Sequence, residues 1–399
     1  MRCAIIHAFP PHRYNLQAPT ANPYQILKHA PSELELELYY FAGMEENRKS
    51  SEECIKALRL GLSHEMPRPA GVSKYYHISI ARARGLPGSV GMFPALRDFA
   101  GRVNESHPDL VWMYPHWLLD WMPRLSCENI VVTGPDSAVL HNERALQYGD
   151  LDPRETKRQV ALLKRNSKLE LQWGSTRARM HMVGEADAER YIRLNEGRAE
   201  AFFVKHPIYD HATVNEGLAG ERGKVSVMFS GGGETIFVGS HLRRAIDSIA
   251  SHAEMAGEIE LRFLGRGYKD FATKLTKAGF ECCVTPWVED YERELAQAQI
   301  HVFPIAVGTG TKGKVLTAIA TGSLVIGSEF ALENIAVTPG TDCIKYDKPE
   351  EMGGILRDVL DRREHYARMA ESGARRVAGE HDPAKVAKEF WDRAMNPGL

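Results

Sequence analysis

Residues 308–314 read Gly-Thr-Gly-Thr-Lys-Gly-Lys. Closely spaced glycines let a backbone fold so that several N–H groups point the same way, and Lys312 and Lys314 add full positive charges. That combination is a seat for a phosphate-bearing ligand, offered by the backbone of Gly308, Thr309, Gly310 and Thr311 and by the two lysines. The flanks say how the seat is held. Ile300–Pro304 reads as a buried strand, Lys314–Thr321 as a helix, Gly322 as its stop and Leu324–Ile326 as the next strand. A helix start behind the turn adds the positive end of its dipole. Gly308, four residues, Gly313 and Lys314 also fit the first places of a P-loop. Position 315, however, is Val where Ser or Thr would hold magnesium. A glycine-rich turn with solvated lysines is the plain structural alternative.

A second set of chemical groups lies in the first half. Asp136, in Gly134-Pro135-Asp136-Ser137, follows the predicted strand Asn129–Thr133. A carboxylate there can deprotonate an attacking hydroxyl, and the same residue type also caps a helix that starts near Ala138. Trp112-Met113-Tyr114-Pro115-His116-Trp117 ends the neighbouring strand. His116 is a base suited to neutral pH, and Tyr114 and Trp117 offer flat aromatic faces on which the apolar face of a sugar ring can stack. The same ring types also pack cores, the plainer role for Trp112 inside the strand. His12 and Arg13 lie in the first strand-to-helix loop, where Arg13 can hold a phosphate group. Asp150-Leu151-Asp152 reads as a turn before a helix, and no metal site emerges.

The elements that must position these groups alternate between strand and helix. Predicted strands are Arg2–Phe9, Glu33–Phe41, Tyr75–Ile80, Asp109–Tyr114, Asn129–Thr133, Met180–Val183 and Ala201–Val204. Glu33–Phe41 alternates with period two and reads as an outer strand with one wet face. Helices fall near 50–64, 94–105, 139–148, 153–166 and 186–195. A polar, glycine-rich stretch to Gly223 separates this series from a second. That one has strands Lys224–Phe229, Glu260–Leu264 and Glu281–Thr285 before the 300–327 stretch, with closing helices near 349–378 and 383–395. Two such series imply two doubly wound parallel sheets, with ligands at the carboxyl ends of the strands. The expected division is 1–207, joined by the C-terminal helix 383–399, and 208–382.

Composition bounds the class. The 399 residues are 43% hydrophobic and 26% charged, with a net charge of −2, which offers no broad basic surface for nucleic acid. The six cysteines show no C-x-x-C spacing and read as reduced thiols. The start, Met-Arg-Cys-Ala-Ile-Ile, reads as a first strand rather than a signal peptide. A cytoplasmic protein is expected, with peripheral membrane contact left open.

In order and spacing, four segments resemble the donor-binding half of GT-B glycosyltransferases of the large sugar-nucleotide-dependent, retaining-type group. They are Val-Met-Phe-Ser-Gly-Gly-Gly (227–233), Leu-Arg-Phe-Leu-Gly-Arg-Gly (261–267), Thr-Pro-Trp-Val-Glu-Asp (285–290), and the 308–316 loop and helix with its Gly-x-x-Val-Ile-Gly continuation. The resemblance implies a metal-independent transferase with no cofactor and a nucleotide diphosphate sugar as donor. A saccharide, glycolipid or other hydroxyl compound is the implied acceptor. It implies that Gly265, Arg266, Gly267, Trp287 and Val288 line the nucleoside pocket and that Thr317 faces the ribose. The diphosphate falls to Gly308–Thr311, Lys312 and Lys314, with Gly231 and Gly232 opposite. That group usually carries glutamates at the places of Thr309 and Thr317. Inverting relatives without the pair use a lysine near the helix start and an aspartate in the N-terminal domain, the places of Lys314 and Asp136. A non-catalytic sugar-nucleotide binder and a P-loop-like NTP-binding enzyme are the alternatives.

Overall fold

The computed structural model describes residues 1–15, 20–43, 47–67, 71–84, 97–134, 136–209, 217–218, 223–288 and 290–398. Contacts divide the chain into two units: 1–140, 161–209 and 383–399 form the first, and 141–160 with 210–382 the second. The stretch 141–160, which the sequence reading left in the first half, groups with the second. Most of the expected linker, 210–216 and 219–222, lies outside the described residues.

The first unit is built on seven parallel strands: β1 (Arg2–His7), β2 (Glu35–Phe41), β3 (Leu62–Met66), β4 (Leu110–Tyr114), β5 (Ile130–Gly134), β6 (Arg179–Met182) and β7 (Ala201–Phe203). Their order is β3-β2-β1-β4-β5-β6-β7, so the chain reverses direction across the sheet between β1 and β4. The helices are α1 (Ala21–Lys28), α2 (Arg48–Lys56), α3 (Gly71–Ala83), α4 (Arg97–Glu105), α5 (Ala138–Tyr148), α6 (Pro153–Gly174) and α7 (Glu185–Leu194), with a 3-10 helix at His116–Arg124. Period-two alternation sends Ala4, Ile6, Val111 and Met113 into one core layer and Cys3, Ile5, Leu110 and Trp112 into another. The C-terminal helix (Pro383–Met395) closes the second layer with Phe390 and Trp391, both fully buried. The Trp391 indole N–H donates to the Ile26 carbonyl at 3.1 Å. Arg179 donates to the carbonyls of Arg393 at 2.7 Å and Ala394 at 2.5 Å.

Two expectations are corrected here. Glu35–Phe41 is an inner strand, because β3, hidden inside what reads as one helix over 50–64, pairs along its outer side. Its alternation misleads because Glu37 is buried: the Tyr39 hydroxyl donates to it at 3.1 Å and Arg2 pairs with it at 3.7 Å. Tyr75–Ile80 is helical, within α3. Aromatic and β-branched residues favour a strand there, but β3 already occupies that edge. A helix satisfies its backbone without a sheet partner.

The second unit has six parallel strands: β8 (Val225–Ser230), β9 (Ile259–Leu264), β10 (Glu281–Thr285), β11 (Ile300–Phe303), β12 (Leu324–Gly327) and β13 (Ile344–Lys345). The helices are α8 (Gly239–Ala250), α9 (Lys269–Lys277), α10 (Tyr291–Leu295), α11 (Gly313–Ala320), α12 (Glu329–Leu332), α13 (Met352–Asp361) and α14 (Arg363–Glu380); α15 (Pro383–Met395) returns to the first unit. The order is β10-β9-β8-β11-β12-β13. Here the direction reverses between β8 and β11, opening a crevice beyond their carboxyl ends where a ligand fits an open α/β sheet.

Candidate functional site

The residues singled out in the second half converge on that crevice. Val225–Ser230 is buried throughout, as a central strand must be, and delivers Gly231 and Gly232 to one side. Ile300–Phe303 delivers Gly308–Lys314 to the other. Helix α11 starts at Gly313 with Lys312 at its N-cap, no side-chain cap and no acidic residue in its first turn. An anion therefore meets a helix dipole that no carboxylate offsets from within the turn.

Lys314 spans the crevice. Its Nζ donates to the Ser230 carbonyl at 2.9 Å and lies 5.7 Å from the centre of the Phe303 ring. Burial lowers its pKa to about 8. A lysine stripped of much of its hydration and held by one carbonyl is poised to take an anionic partner.

Lys312 is placed differently. Its Nζ donates to the Gly310 carbonyl at 2.9 Å and pairs with Glu333 at 3.4 Å, so it braces its own loop. Glu333, at the end of α12, also takes a forked pair from Arg144 at 2.7 and 2.8 Å, and the same guanidinium donates to the Gly308 carbonyl at 2.7 Å. All these residues lie in the second unit. Arg144 and Glu333 were missed from sequence because they stand 189 positions apart and neither sits in a motif. Removing Arg144 leaves Glu333 half-paired and the loop unbraced. Arg144→Ala is expected to cost about 1–3 kcal/mol of stability, read as a lower melting temperature, and to weaken donor binding more than turnover.

The remaining glycines build the crevice wall. Gly231 N–H donates to the Leu264 carbonyl and Gly265 N–H to the Thr285 carbonyl, at 2.8 and 2.9 Å. At Gly265, φ is +128° and a side chain would collide with the Gly231 carbonyl, so only glycine fits. Gly233 N–H donates to the Arg266 carbonyl at 2.8 Å, which ties the turn at 231–233 to that at 265–267. On the other side, the Phe237 carbonyl accepts from Ala306 at 2.6 Å and Val307 at 3.1 Å. Arg266 is exposed beside Gly265 and Gly267. Beyond β10, Trp287 is 74% exposed and offers an open ring face, while Val288 packs against the small cluster of Met228, Leu264, Leu295 and Ala298. Thr309 and Thr311 are half-buried, and Thr317 is buried inside α11.

In the first unit, Asp136 is exposed on the loop after β5. The start of α5 is held by other groups. Ser137 N–H donates to Asp187 at 2.8 Å, Val139 N–H to Glu170 at 3.0 Å, and Leu140 N–H to the Ser137 hydroxyl at 3.1 Å. Glu170 is buried, and burial raises its pKa to about 7 against the pull of those donors. The capping task weighed for Asp136 thus falls to Ser137 and Glu170, a pairing that only the fold brings together.

The other first-unit candidates are mostly interior. Tyr114 is not an open sugar platform: it is buried and stacks flat on His7 at 4.8 Å, because β4 lies between β1 and β5. His116 packs on Trp173 at 4.7 Å, and burial lowers its pKa to about 4, leaving a neutral, weak base. His12 is buried and its Nδ1 accepts from Tyr14 N–H at 3.1 Å. Arg13 is exposed, and both it and His12 bond the Cys54 thiol; burial raises that thiol's pKa, but these bonds bring it down to about 7. The Trp117 side chain lies outside the described ones. Asp152, of the Asp-x-Asp sequence, accepts from the N–H groups of Arg154 and Glu155, both at 2.8 Å, as a helix cap does.

Two doubly wound units, one with a cationic crevice beyond its parallel strands, define the class, and comparison with known proteins agrees. Residues 242–392 match a family described as glycosyl transferase-like. HepE of Anabaena, solved with UDP, is 12% identical with a TM-score of 0.61, covering 98% of this chain and 99% of its own. A glycosyltransferase from Rickettsia africae is 8% identical with a TM-score of 0.62, covering 100% and 99%. Sucrose-phosphate synthase from Thermosynechococcus elongatus is 10% identical with a TM-score of 0.61, covering 98% of each. No curated protein matches by sequence. The chain has the GT-B fold, with a glycosyl transferase-like region in its second half.

Proposed function

We propose that this protein is a glycosyltransferase that moves a sugar from a nucleotide diphosphate sugar to a hydroxyl of a saccharide, glycolipid or other acceptor, with inversion. The observation that carries the reading is Lys314, half-stripped of water in the β8–β11 crevice and aimed at the end of β8. HepE, a GT-B neighbour, has been solved with UDP and with UDP-glucose, which supports a nucleotide sugar as the ligand class. In the proposed step, Asp136 takes the proton of the acceptor hydroxyl. The oxygen bonds to the anomeric carbon, and the bond from that carbon to the diphosphate oxygen breaks. Lys314 and the α11 N-terminus take the charge that develops on the departing nucleoside diphosphate. The proton ends on Asp136 and the electron pair on the leaving group, so the step balances without a metal or cofactor. Trp287 is proposed to stack on the base. Thr309 and Thr317 leave two places without the carboxylates that resembling enzymes carry there, which is why the base is assigned to the first unit.

The test is a panel of UDP-, GDP- and dTDP-sugars, assayed for binding and for slow hydrolysis without acceptor. Binding of one nucleotide class with release of free sugar is the expected result. Binding of none overturns the reading, and magnesium-dependent ATP or GTP turnover would support an NTP-binding enzyme instead. Binding without cleavage would support a non-catalytic sugar-nucleotide binder.

A further inference from the structure

Helix α3 is inverted relative to an ordinary surface helix. Of its 13 residues only Ala81 is buried. Val72 is 86% exposed, Tyr75 71%, Tyr76 63% and Ile80 38%. At about 100° per residue these four side chains fall within an arc of about 140°, and Ala81 falls on the opposite side. A helix packed on a core turns its apolar stripe inward; this one turns it away from its own unit.

The charges around the arc say what the stripe is for. Residues 71–84 contain Lys74, Arg82, Arg84 and His77 and no aspartate or glutamate. Arg82 falls just outside the apolar arc and Arg84 follows the helix end, both exposed, whereas Lys74 falls beside Ala81 on the inward side. Tyrosines, a valine and an isoleucine at the tip with cations behind them match the layering of a membrane surface, where rings enter the interface and cations meet headgroup phosphates. A second copy of the helix would set cations against cations. Among the described residues no helix is long and apolar enough to cross a membrane, so α3 would rest on the surface.

We infer that α3 docks this protein on an anionic lipid bilayer, through Val72, Tyr75, Tyr76 and Ile80 inserted at the interface and Arg82 and Arg84 against the headgroups. The inference does not depend on the donor reading, and its test needs no nucleotide sugar.

The full chain is to be sedimented with vesicles of phosphatidylcholine alone and of phosphatidylcholine mixed with phosphatidylglycerol. Binding to the mixed vesicles, weakened by added salt, is expected. The arginine variant Arg82→Gln, Arg84→Gln should lower the partition coefficient on the order of thirtyfold. The double variant Tyr75→Ser, Tyr76→Ser should lower it at least tenfold on the same scale of interfacial contributions. Melting temperatures should stay put, since none of these side chains is buried. Failure to bind either vesicle overturns the inference, as does unchanged binding of the arginine variant. A dimer in lipid-free solution that the double variant dissociates would assign the face to a second copy and overturn it too.

Discussion

Exchange of Lys314 for alanine is expected to lower sugar transfer about 10²–10³-fold, the range found when one preorganised donor to a developing oxyanion is removed. The second unit should remain folded, because the lysine's hydrogen bond is to the Ser230 carbonyl at the rim of the crevice. Nucleoside diphosphate affinity should fall with turnover, since the same charge is met by substrate and leaving group. The pH dependence gives an independent reading. Burial lowers the Lys314 pKa to about 8, well under the 10.5 of a solvated lysine. Below pH 8 the ammonium is present and a diphosphate binds it directly. Above pH 8 it has lost its proton, and binding must recover one, so affinity should fall by up to about tenfold per pH unit. Stability moves the other way. A folded pKa below the unfolded value means that the native state binds fewer protons between pH 8 and 10.5. The burial penalty is therefore fully present below pH 8 and is relieved as pH rises through that window. Calorimetric titration of UDP, GDP and dTDP between pH 7 and 10 measures the affinity. A flat wild-type profile for the nucleotide that binds would remove Lys314 as the diphosphate contact.

Exchange of Asp136 for asparagine is expected to lower transfer by about 10²–10⁴-fold, the usual contribution of a positioned general base. Donor binding should be unchanged. The structure sharpens this prediction by separating the base from the helix cap. Ser137, Glu170 and Asp187 satisfy the first turn of α5. Asp136→Ala should therefore leave the first-turn bonds of α5 in place, whereas loss of a capping residue commonly costs about 1 kcal/mol. Ser137→Ala is the contrasting variant, expected to destabilise without removing the base. Retained turnover in Asp136→Asn would exclude it as the base. The anomeric configuration of the product decides inversion separately: an inverted product supports an aspartate acting directly on the acceptor, and a retained one overturns that step.

Five strands of the second unit were legible as short runs closed by glycine or proline, and the crevice loop because its glycines and lysines are contiguous; β13, only two residues long, carried no such signal. The turn at 231–233 and the one at 265–267 were each visible as glycine clusters. That they bond to one another was not, since backbone-to-backbone packing leaves no side-chain signal. In the first unit, β3 escaped because Leu62–Met66 is short and mostly exposed, and its absence made β2 read as an edge. Local pattern carries the pairing of a strand with its own hydrophobic layer, not the identity of its neighbours.

For Gly308–Lys314 itself, the sequence alone determined the chemistry: a turn rich in N–H donors, a helix start and two cations, without the hydroxyl a magnesium loop needs at Val315. Only the tertiary structure decided how the two lysines divide the work. Both have the same charge and nearly the same place in the chain. Lys312 folds back to Gly310 and Glu333, while Lys314 reaches across the switch between β8 and β11. A carboxylate 21 positions away and a carbonyl 84 positions away make that distinction, and their proximity exists only once the sheet has formed.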